Sequence, residues 1–469
     1  MNSPVMPDIP REELWLIVCK LAIEVDEVRA ENSTLRAQLA QANETMQSLQ
    51  TQLALPRKTA QNSSVPPAVS HKKRCEKGLG KPRGGKPGHV GISRRRQKPD
   101  VVIDCRAEAC CRCGASLVGV TGECFSSHQV WELPPIKARV VEFRLYRTQC
   151  SCGACEEGQC PAGYDDVQQD FGPNVHALVS YLNGTHHIAQ NRLEQLLQDV
   201  FGLSMSAGAI ANSLRRTATR LERPAHDILC DIRRSPVIGS DETGFRVEGE
   251  NWWLWTVQNP ESSYFAMADT RAGDVLEGLM FDAVAEVWCC DLHAAQLKAP
   301  TRRFAICNAH QLRDLQYAID AGDTIFAPPM QALLREGLRL TQERDRYSPA
   351  DFEQAVENLK TQAHALLEPT PQQADAVRLQ KRFRKHFESI WHFLSRSDVP
   401  FTNNASERAL RPAVIHRKVI GGFRSEVGAA AYALYRTIED TARKRGQNIL
   451  NTLNQALTGT FALTSVWIS

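Results

Sequence analysis

The chain has 469 residues, of which 42% are hydrophobic and 23% are charged, close to the averages of folded globular proteins. This length allows two to four domains and excludes a peptide or a small disulfide scaffold. No stretch approaches the ~18 consecutive apolar residues that cross a bilayer, and the N-terminus lacks the basic and apolar segments of a secretory signal. We therefore expect a cytoplasmic protein that does not bind membranes.

The first predicted element is a coiled-coil helix over residues 12–55, because apolar residues recur there with heptad spacing. Asn32 is the polar residue in one of the two series, and a single buried Asn favours a parallel dimer. We expect a homodimer or a higher oligomer through this helix; an amphipathic helix packed on the rest of the protein is the alternative. The two series are Leu14, Leu21, Val28, Leu35, Ala42 and Leu49, and Val18, Val25, Asn32, Leu39, Met46 and Leu53.

Residues 56–100 form a basic segment rich in Pro, Gly and Ser, with thirteen Lys/Arg against two Asp/Glu. Residues 1–55 have four Lys/Arg against eight Asp/Glu, and the remainder has thirty-nine against forty-three. A flexible basic arm suits the phosphate backbone of nucleic acid, because each neutralised phosphate releases counterions. The alternative is a solvated tether.

Residues 101–165 contain two cysteine motifs separated by a stretch with strand-like composition, which indicates a zinc ribbon. Cys110 and Cys113 form the first pair of expected Zn²⁺ ligands. Cys150 and Cys152 form the second, with Cys155 as a possible replacement for Cys150 because only Cys152 and Cys155 have the standard two-residue spacing. Four thiolates would close a structural Zn²⁺ site; redox chemistry is the alternative.

Residues 170–225 read as amphipathic helices interrupted at residues 203–206. A short turn followed by a serine cap is compatible with a helix-turn-helix, so we interpret this region as a helical DNA-binding segment. An ordinary pair of packed helices is the alternative.

The next region changes to β-like runs over 235–248, over 251–260 with three tryptophans, over 262–270 and over 285–295. Two of these apolar strands lead into acids, Asp241 and Asp291. A long helical region follows over 308–398, and Glu407 comes after it at the start of another expected helix, capped by Asn404 or Ser406. Three carboxylates delivered in this way suit a two-metal site for Mg²⁺ or Mn²⁺, since hard divalent ions prefer oxygen ligands.

Several motifs resemble the insertion sequence 66 family of bacterial transposases, and the similarity in motif order covers nearly the whole chain. The motifs are Ser240-Asp241-Glu242-Thr243-Gly244, Cys290-Asp291, Cys307-Asn308-Ala309-His310, Asn403-Asn404-Ala405-Ser406-Glu407-Arg408 and Gly421-Gly422-Phe423-Arg424. The resemblance implies a ribonuclease-H-like catalytic domain over 230–307 and 399–469, interrupted by a helical insertion over 308–398. It also implies a DDE triad of Asp241, Asp291 and Glu407 that holds Mg²⁺, cuts one strand at each transposon end and directs the freed 3′-hydroxyl into target DNA. Small companion proteins of the same element are a further implication.

Arg411 and Lys418 follow Glu407 by four and eleven positions, which places all three residues on one side of a continuous helix. We expect these cations to bind the scissile phosphates; for Arg411, an ion pair with Glu407 is the alternative.

The sequence therefore predicts a multidomain α/β protein with a coiled coil, a zinc ribbon, a helical DNA-binding segment and a ribonuclease-H-like catalytic domain with a helical insertion. The expected function is DNA transposition at the bacterial nucleoid, with the terminal repeats of the element and the target DNA as partners. One alternative is a metal-dependent nuclease of the same fold without strand transfer. Another is a zinc-ribbon DNA-binding regulator or a catalytically inactive transposase remnant.

Overall fold

The computed structural model describes residues 10–56, 58–59, 61–63, 94–164 and 171–463. It divides into two compact units: Met1–Ser70 with Cys307–Ser397, and His71–Ile306 with Asp398–Ser469. Most of the predicted basic arm, residues 57, 60 and 64–93, lies outside the described residues.

The described residues form a mixed α/β structure. The helices are α1 Arg11–Ala54, α2 Pro173–Gly184, α3 Gln190–Phe201, α4 Ala207–Arg233, α5 Asp274–Met280, α6 Asn308–Asp320, α7 Ala327–Gln342, α8 Pro349–Ala365, α9 Ala374–Lys385, α10 Phe387–Trp391, α11 Asn404–Ile420, α12 Glu426–Lys444 and α13 Ile449–Leu457. The strands are β1 Arg147–Gln149, β2 Cys155–Glu157, β3 Val237–Val247, β4 Glu250–Gln258, β5 Ser263–Ala268, β6 Ala285–Cys290 and β7 Thr301–Ile306. No helix among the described residues is both long and apolar enough to span a membrane.

The first unit contains α1 and the helices α6 to α10. Helix α1 confirms the predicted long helix, and its heptad positions from Leu14 to Met46 are solvent-exposed: Leu21 and Val28 are 53% and 54% exposed. The region 308–398 contains helices without strands, as predicted. Within this unit, the segment after α1 contacts α6, because the side-chain amide of Asn62 donates to Asp320 at 2.8 Å.

Between the two cysteine motifs, residues 114–149, all of them described, contain one short strand, β1, in place of the predicted strands. Strand β1 pairs antiparallel with β2, which begins within the second motif, and Gln149 lies opposite Cys155. Between them and the first motif, apolar side chains such as Phe125 and Val140 are almost fully exposed. A hairpin with nothing packed on its apolar face is at best marginally stable, which explains why the expected strand pattern does not form.

Helices α2 to α4 confirm that the predicted segment is helical. Helix α4 continues eight residues past the expected end near residue 225, to Arg233. Pro224 lies inside α4 and is buried. Proline removes one helical hydrogen bond, and the burial of the surrounding face offsets that cost.

The central feature of the second unit is a five-stranded mixed sheet with the order β5-β4-β3-β6-β7. Strands β3, β4 and β5 form an antiparallel meander, whereas β6 pairs parallel to β3, and β7 pairs parallel to β6. The strands predicted around Asp241, in the tryptophan-rich run and before Asp291 are confirmed as β3, β4 and β6; β7 was not predicted.

Helices α11 and α12 cover one face of the meander. Phe245 of β3 packs there with Leu410 of α11 and Tyr432 of α12 in a buried apolar cluster. Two glycines end α11 and return the chain to the sheet. Gly421 has φ +76°, and a Cβ on Gly422 would lie 2.8 Å from the Arg246 carbonyl oxygen. Glycine is therefore required where the chain bends and passes beside β3.

Candidate active site

Two of the three predicted acids lie side by side at the centre of the sheet. In the parallel pairing of β3 with β6, Gly239 is opposite Cys289. Asp241, within β3, and Asp291, the first residue after β6, each follow two residues later, so strand alternation places both side chains on the same face. Neighbouring strands are about 4.8 Å apart. The sheet register therefore brings the two carboxylates together.

The third acid reaches this face through the first turn of α11, where Glu407 lies. A Cβ on Gly239 would be 3.0 Å from the Ser406 hydroxyl and 3.2 Å from the Asn403 side-chain oxygen. The absence of a side chain at Gly239 thus permits the start of α11 to approach β3 closely.

Hydrogen bonds fix this approach. The Asn403 side-chain amide donates to the Ser240 carbonyl oxygen at 2.7 Å, and the Ser406 hydroxyl donates to the Asn403 side-chain oxygen at 2.8 Å. The expected cap at Asn404 or Ser406 is wrong, because Asn403 occupies the cap position and makes no side-chain cap hydrogen bond. Its amide binds the strand instead.

The charge environment of Asp241 shows that the acids lie close enough to interact. Burial raises the pKa of Asp241 to about 8; a hydrogen bond of 2.9 Å from the Glu242 backbone N–H opposes this shift. The charges of Glu242, Asp291 and Glu407 raise the pKa further. A carboxyl group whose pKa is raised by burial and by the charges of neighbouring acids is typical of a functional site.

Glu242 is an acid whose role the sequence did not reveal. Its side chain is 2% exposed. One of its carboxylate oxygens accepts a hydrogen bond from Arg271 Nε at 2.8 Å, and Gln296 donates to the other. Arg271 and Gln296 lie 29 and 54 residues away in sequence. Neither sequence separation predicts the contact with Glu242. The only signal in the sequence was that Glu242 is next to Asp241.

A buried polar chain links Glu242 to the sheet. Trp288 Nε1 donates to the Ser240 hydroxyl at 2.7 Å, and that hydroxyl donates to the side-chain oxygen of Gln296. Since Gln296 also donates to Glu242, these residues fix the conformation of the part of β3 that presents Asp241.

The predicted phosphate-binding residues lie on α11. This helix is continuous to Ile420, so Glu407, Arg411 and Lys418 share one side of it. Arg411 and Lys418 are exposed. The neighbouring Arg417 points back to the sheet, where it donates to the Gly244 carbonyl oxygen and lies 5.8 Å from the Phe245 ring centre.

The predicted zinc ligands form two separate turns. Contacts with Cys113 lower the pKa of Cys110, and contacts with Cys152 lower the pKa of Cys150. Both shifts result mainly from backbone hydrogen bonds. Cys155 lies in β2, opposite Gln149. Within the described part of the chain, no three of these thiols lie within 4.8 Å of one another, so the Zn²⁺ site stays a prediction.

The three predicted acids offer the type of donor atom that a divalent cation needs, and within the described part of the chain their carboxylate oxygens do not all lie within 4.8 Å of one another. Asp241, Asp291 and Glu407 supply the oxygen ligands that Mg²⁺ and Mn²⁺ prefer. Their repulsion, which contributes to the raised pKa of Asp241, is the interaction that a bound cation would relieve.

This region of the chain is similar to known proteins. The family profile described as "Transposase IS66 family" matches residues 169–431, more than half of the chain. A Sinorhizobium fredii protein named "Uncharacterized protein y4hP" is 24% identical, over 76% of this chain and 70% of the relative. The profile includes the three acids, Arg411 and Lys418, whereas the cysteine motifs lie before it.

Proposed function

Because the chain belongs to the IS66 family of transposases, we propose that it catalyses strand cleavage at the element ends and transfer of the freed 3′-hydroxyl into target DNA. The proposal is supported by the position of Asp241 and Asp291 at the parallel strands β3 and β6, and by the charges of Asp291 and Glu407, which both raise the pKa of Asp241. The central position of the two acid-bearing strands supports a ribonuclease-H-like catalytic domain of the DDE type.

The three acids are proposed to hold two Mg²⁺ or Mn²⁺ ions. When bound, such ions activate an attacking oxygen and stabilise the leaving oxygen of a phosphoryl transfer. The protein contributes the spacing of the ligands: β3 and β6 fix Asp241 and Asp291, and the Asn403 contact with Ser240 positions the first turn of α11. Asp241 must lose its proton to act as a ligand, and its raised pKa makes that step depend on pH.

The remaining residues of the proposed site bind DNA. Arg411 and Lys418 are exposed on the side of α11 that includes Glu407, where they are proposed to hold the phosphates next to the scissile bond. Glu242 is buried and paired with Arg271, so we assign it a positioning role.

The other segments are proposed to assemble the protein on DNA. The coiled coil (12–55) forms a dimer or higher oligomer, and the arm (56–100), Zn²⁺ ribbon (101–165) and helices (170–225) contact DNA. The catalytic domain comprises 230–307 and 399–469 and is interrupted by the insertion (308–398). We also propose that the protein acts at the bacterial nucleoid together with companion proteins of the same element.

The test uses full-length protein, Mg²⁺ and a plasmid containing the coding sequence with its flanking genomic DNA. Strand nicking at the element ends and joining to a second duplex are measured. We expect Glu407→Gln to reduce both steps at least about 100-fold, because metal-ion charge stabilisation is worth several kcal/mol. Glu277→Gln in α5, an exposed glutamate outside the site, is the matched control and should retain activity.

Three outcomes separate the rival functions. Nicking without joining would indicate a nuclease of the same fold. DNA binding without metal-dependent nicking would indicate a regulator or an inactive transposase. Full activity of the Glu407→Gln variant would show that Glu407 is not one of the three catalytic acids.

A further inference from the structure

We propose that the first half of α4 is the sequence-reading helix of this protein and enters the major groove of duplex DNA, with Asn212 and Arg215 at the base edges. This inference rests on the proposed function, which makes DNA the substrate. To that function it adds the helix that recognises the DNA sequence and the residues that contact the bases.

The connection between α3 and α4 is a short capped turn, compatible with a helix-turn-helix. Helix α3 ends at Gly202, which has φ +61°, and the Leu203 backbone N–H donates to the Leu197 carbonyl oxygen at 3.1 Å. Helix α4 begins after Ser206, whose hydroxyl accepts a hydrogen bond from the Ala209 backbone N–H at 3.3 Å. A glycine cap and a serine cap thus define a five-residue turn between two packed helices.

The packing of α4 leaves one side of the helix exposed. On the inner side of α4, buried residues recur at three- and four-residue spacing. Leu193 and Leu197 of α3 are buried in the same region. The buried positions of the first half of α4 are Ile210, Ser213, Leu214, Thr217, Ala218 and Leu221. The opposite side of α4 faces solvent, as a recognition helix requires.

The exposed side has the chemistry for reading bases. Asn212, Arg215 and Thr219 recur along it at three- and four-residue spacing, and Arg216 and Arg220 lie beside them. Arginine pairs with guanine and asparagine with adenine through two hydrogen bonds each. The Arg215 guanidinium donates to the Asn212 side-chain oxygen, so the two proposed reading groups are neighbours.

The charge on this surface also fits DNA. Between Ala207 and Leu221 there are three arginines and no Asp or Glu. The end of α3 is flanked by another basic segment, because the Ala138 backbone N–H donates to the Phe201 carbonyl oxygen at 3.2 Å. Lys137 and Arg139, on either side of Ala138, are exposed. These cations suit the phosphates that border a groove.

The experiment separates base reading from phosphate binding. Wild-type and variant full-length proteins select from a pool of random 20-bp DNA duplexes, and their affinity for one fixed duplex is measured across salt concentrations. We expect Asn212→Ala and Arg215→Ala each to lose preference at one or two positions of the selected motif, by about 5- to 150-fold. Arg215→Lys should also lose the preference while the salt slope is retained, because lysine keeps the charge but not the paired donors.

Arg216→Ala and Arg220→Ala should weaken binding to all duplexes alike and reduce the salt slope by about one each. Arg335→Ala in α7 is the charge-matched control, since Arg335 is exposed on a helix of the other unit; its motif and slope should match the wild type. Thermal melting verifies that each variant is folded, as expected for substitutions of exposed side chains.

An unchanged motif in Asn212→Ala, Arg215→Ala and Arg215→Lys would overturn the inference, as would a wild-type protein that selects no motif. Equal competition by an RNA duplex would also overturn it, because the major groove of A-form RNA is too narrow for a helix. Failure of the proposed function is distinguishable, since it would appear as lost metal-dependent nicking with the selected motif intact.

Discussion

At the scale of single residues, Asp241 combines a proposed active-site role with a cost to stability. Its pKa is raised from 3.8 to about 8, mainly by burial. A carboxyl group with a raised folded-state pKa contributes stability that is fully present below pH ~4 and is lost as the pH rises toward 8. Acid-rich sites of this kind are kept for function at the expense of stability.

We therefore expect Asp241→Asn to stabilise the metal-free protein at pH 8, by a few kcal/mol, and to have little effect at pH 4. In thermal unfolding with a chelator present, the midpoint at pH 8 should rise by about 5 °C or more. Asp282→Asn, at an exposed aspartate of the same unit, should leave the midpoint unchanged at both pH values. A lower midpoint for Asp241→Asn at pH 8 would contradict this account.

At the scale of elements, the proposed active site depends on how closely α11 approaches β3. A Cβ on Gly239 would lie 2.5 Å from the Gln258 side-chain nitrogen as well as close to Ser406 and Asn403. Gln258 has little room to move, because its amide donates to Ser406 at 3.2 Å and its oxygen accepts from Lys444. An added methyl group must therefore shift the start of α11.

We expect Gly239→Ala to reduce strand cleavage at least about tenfold and to destabilise the fold by about 1–3 kcal/mol, as overpacking typically does. Cleavage and urea unfolding measured on the same preparation give both values. Gly278→Ala in α5 is the control, since a Cβ there meets no atom within 4 Å. Unaltered cleavage in Gly239→Ala would show that the approach of α11 is not critical.

The sequence predicted those elements whose pattern is local. The β-like runs predicted β3, β4, β5 and β6, and the region 308–398 was predicted to be helical without strands. Strand β7 was missed because its Thr301-Arg302-Arg303 start has no apolar alternation; pairing with β6 forms it. Contacts between distant residues, such as Arg271 with Glu242, have no signature in either local sequence.

At the scale of the whole molecule, α1 is the expected assembly element. Its exposed heptad side chains predict that Val25→Asp, at a core position of the seam, reduces the oligomer to monomers, because a buried charge without a partner is costly. Light scattering coupled to size exclusion measures the mass. Ala30→Asp, on the outer side of the same coiled coil, is the matched control; a monomeric wild type would contradict the prediction.

The order of the acids along the chain has a consequence for protein synthesis. Glu407 follows Asp291 by 116 residues, and most of them form the helices α6 to α10. At a synthesis rate of about 5–20 residues per second, roughly 6–23 s separate the emergence of the second acid from that of the third. The cysteine motifs and α4 precede all three acids. A nascent chain therefore exposes its proposed DNA-contacting segments well before it has a complete set of catalytic carboxylates, so DNA engagement can begin on the ribosome while cleavage must wait.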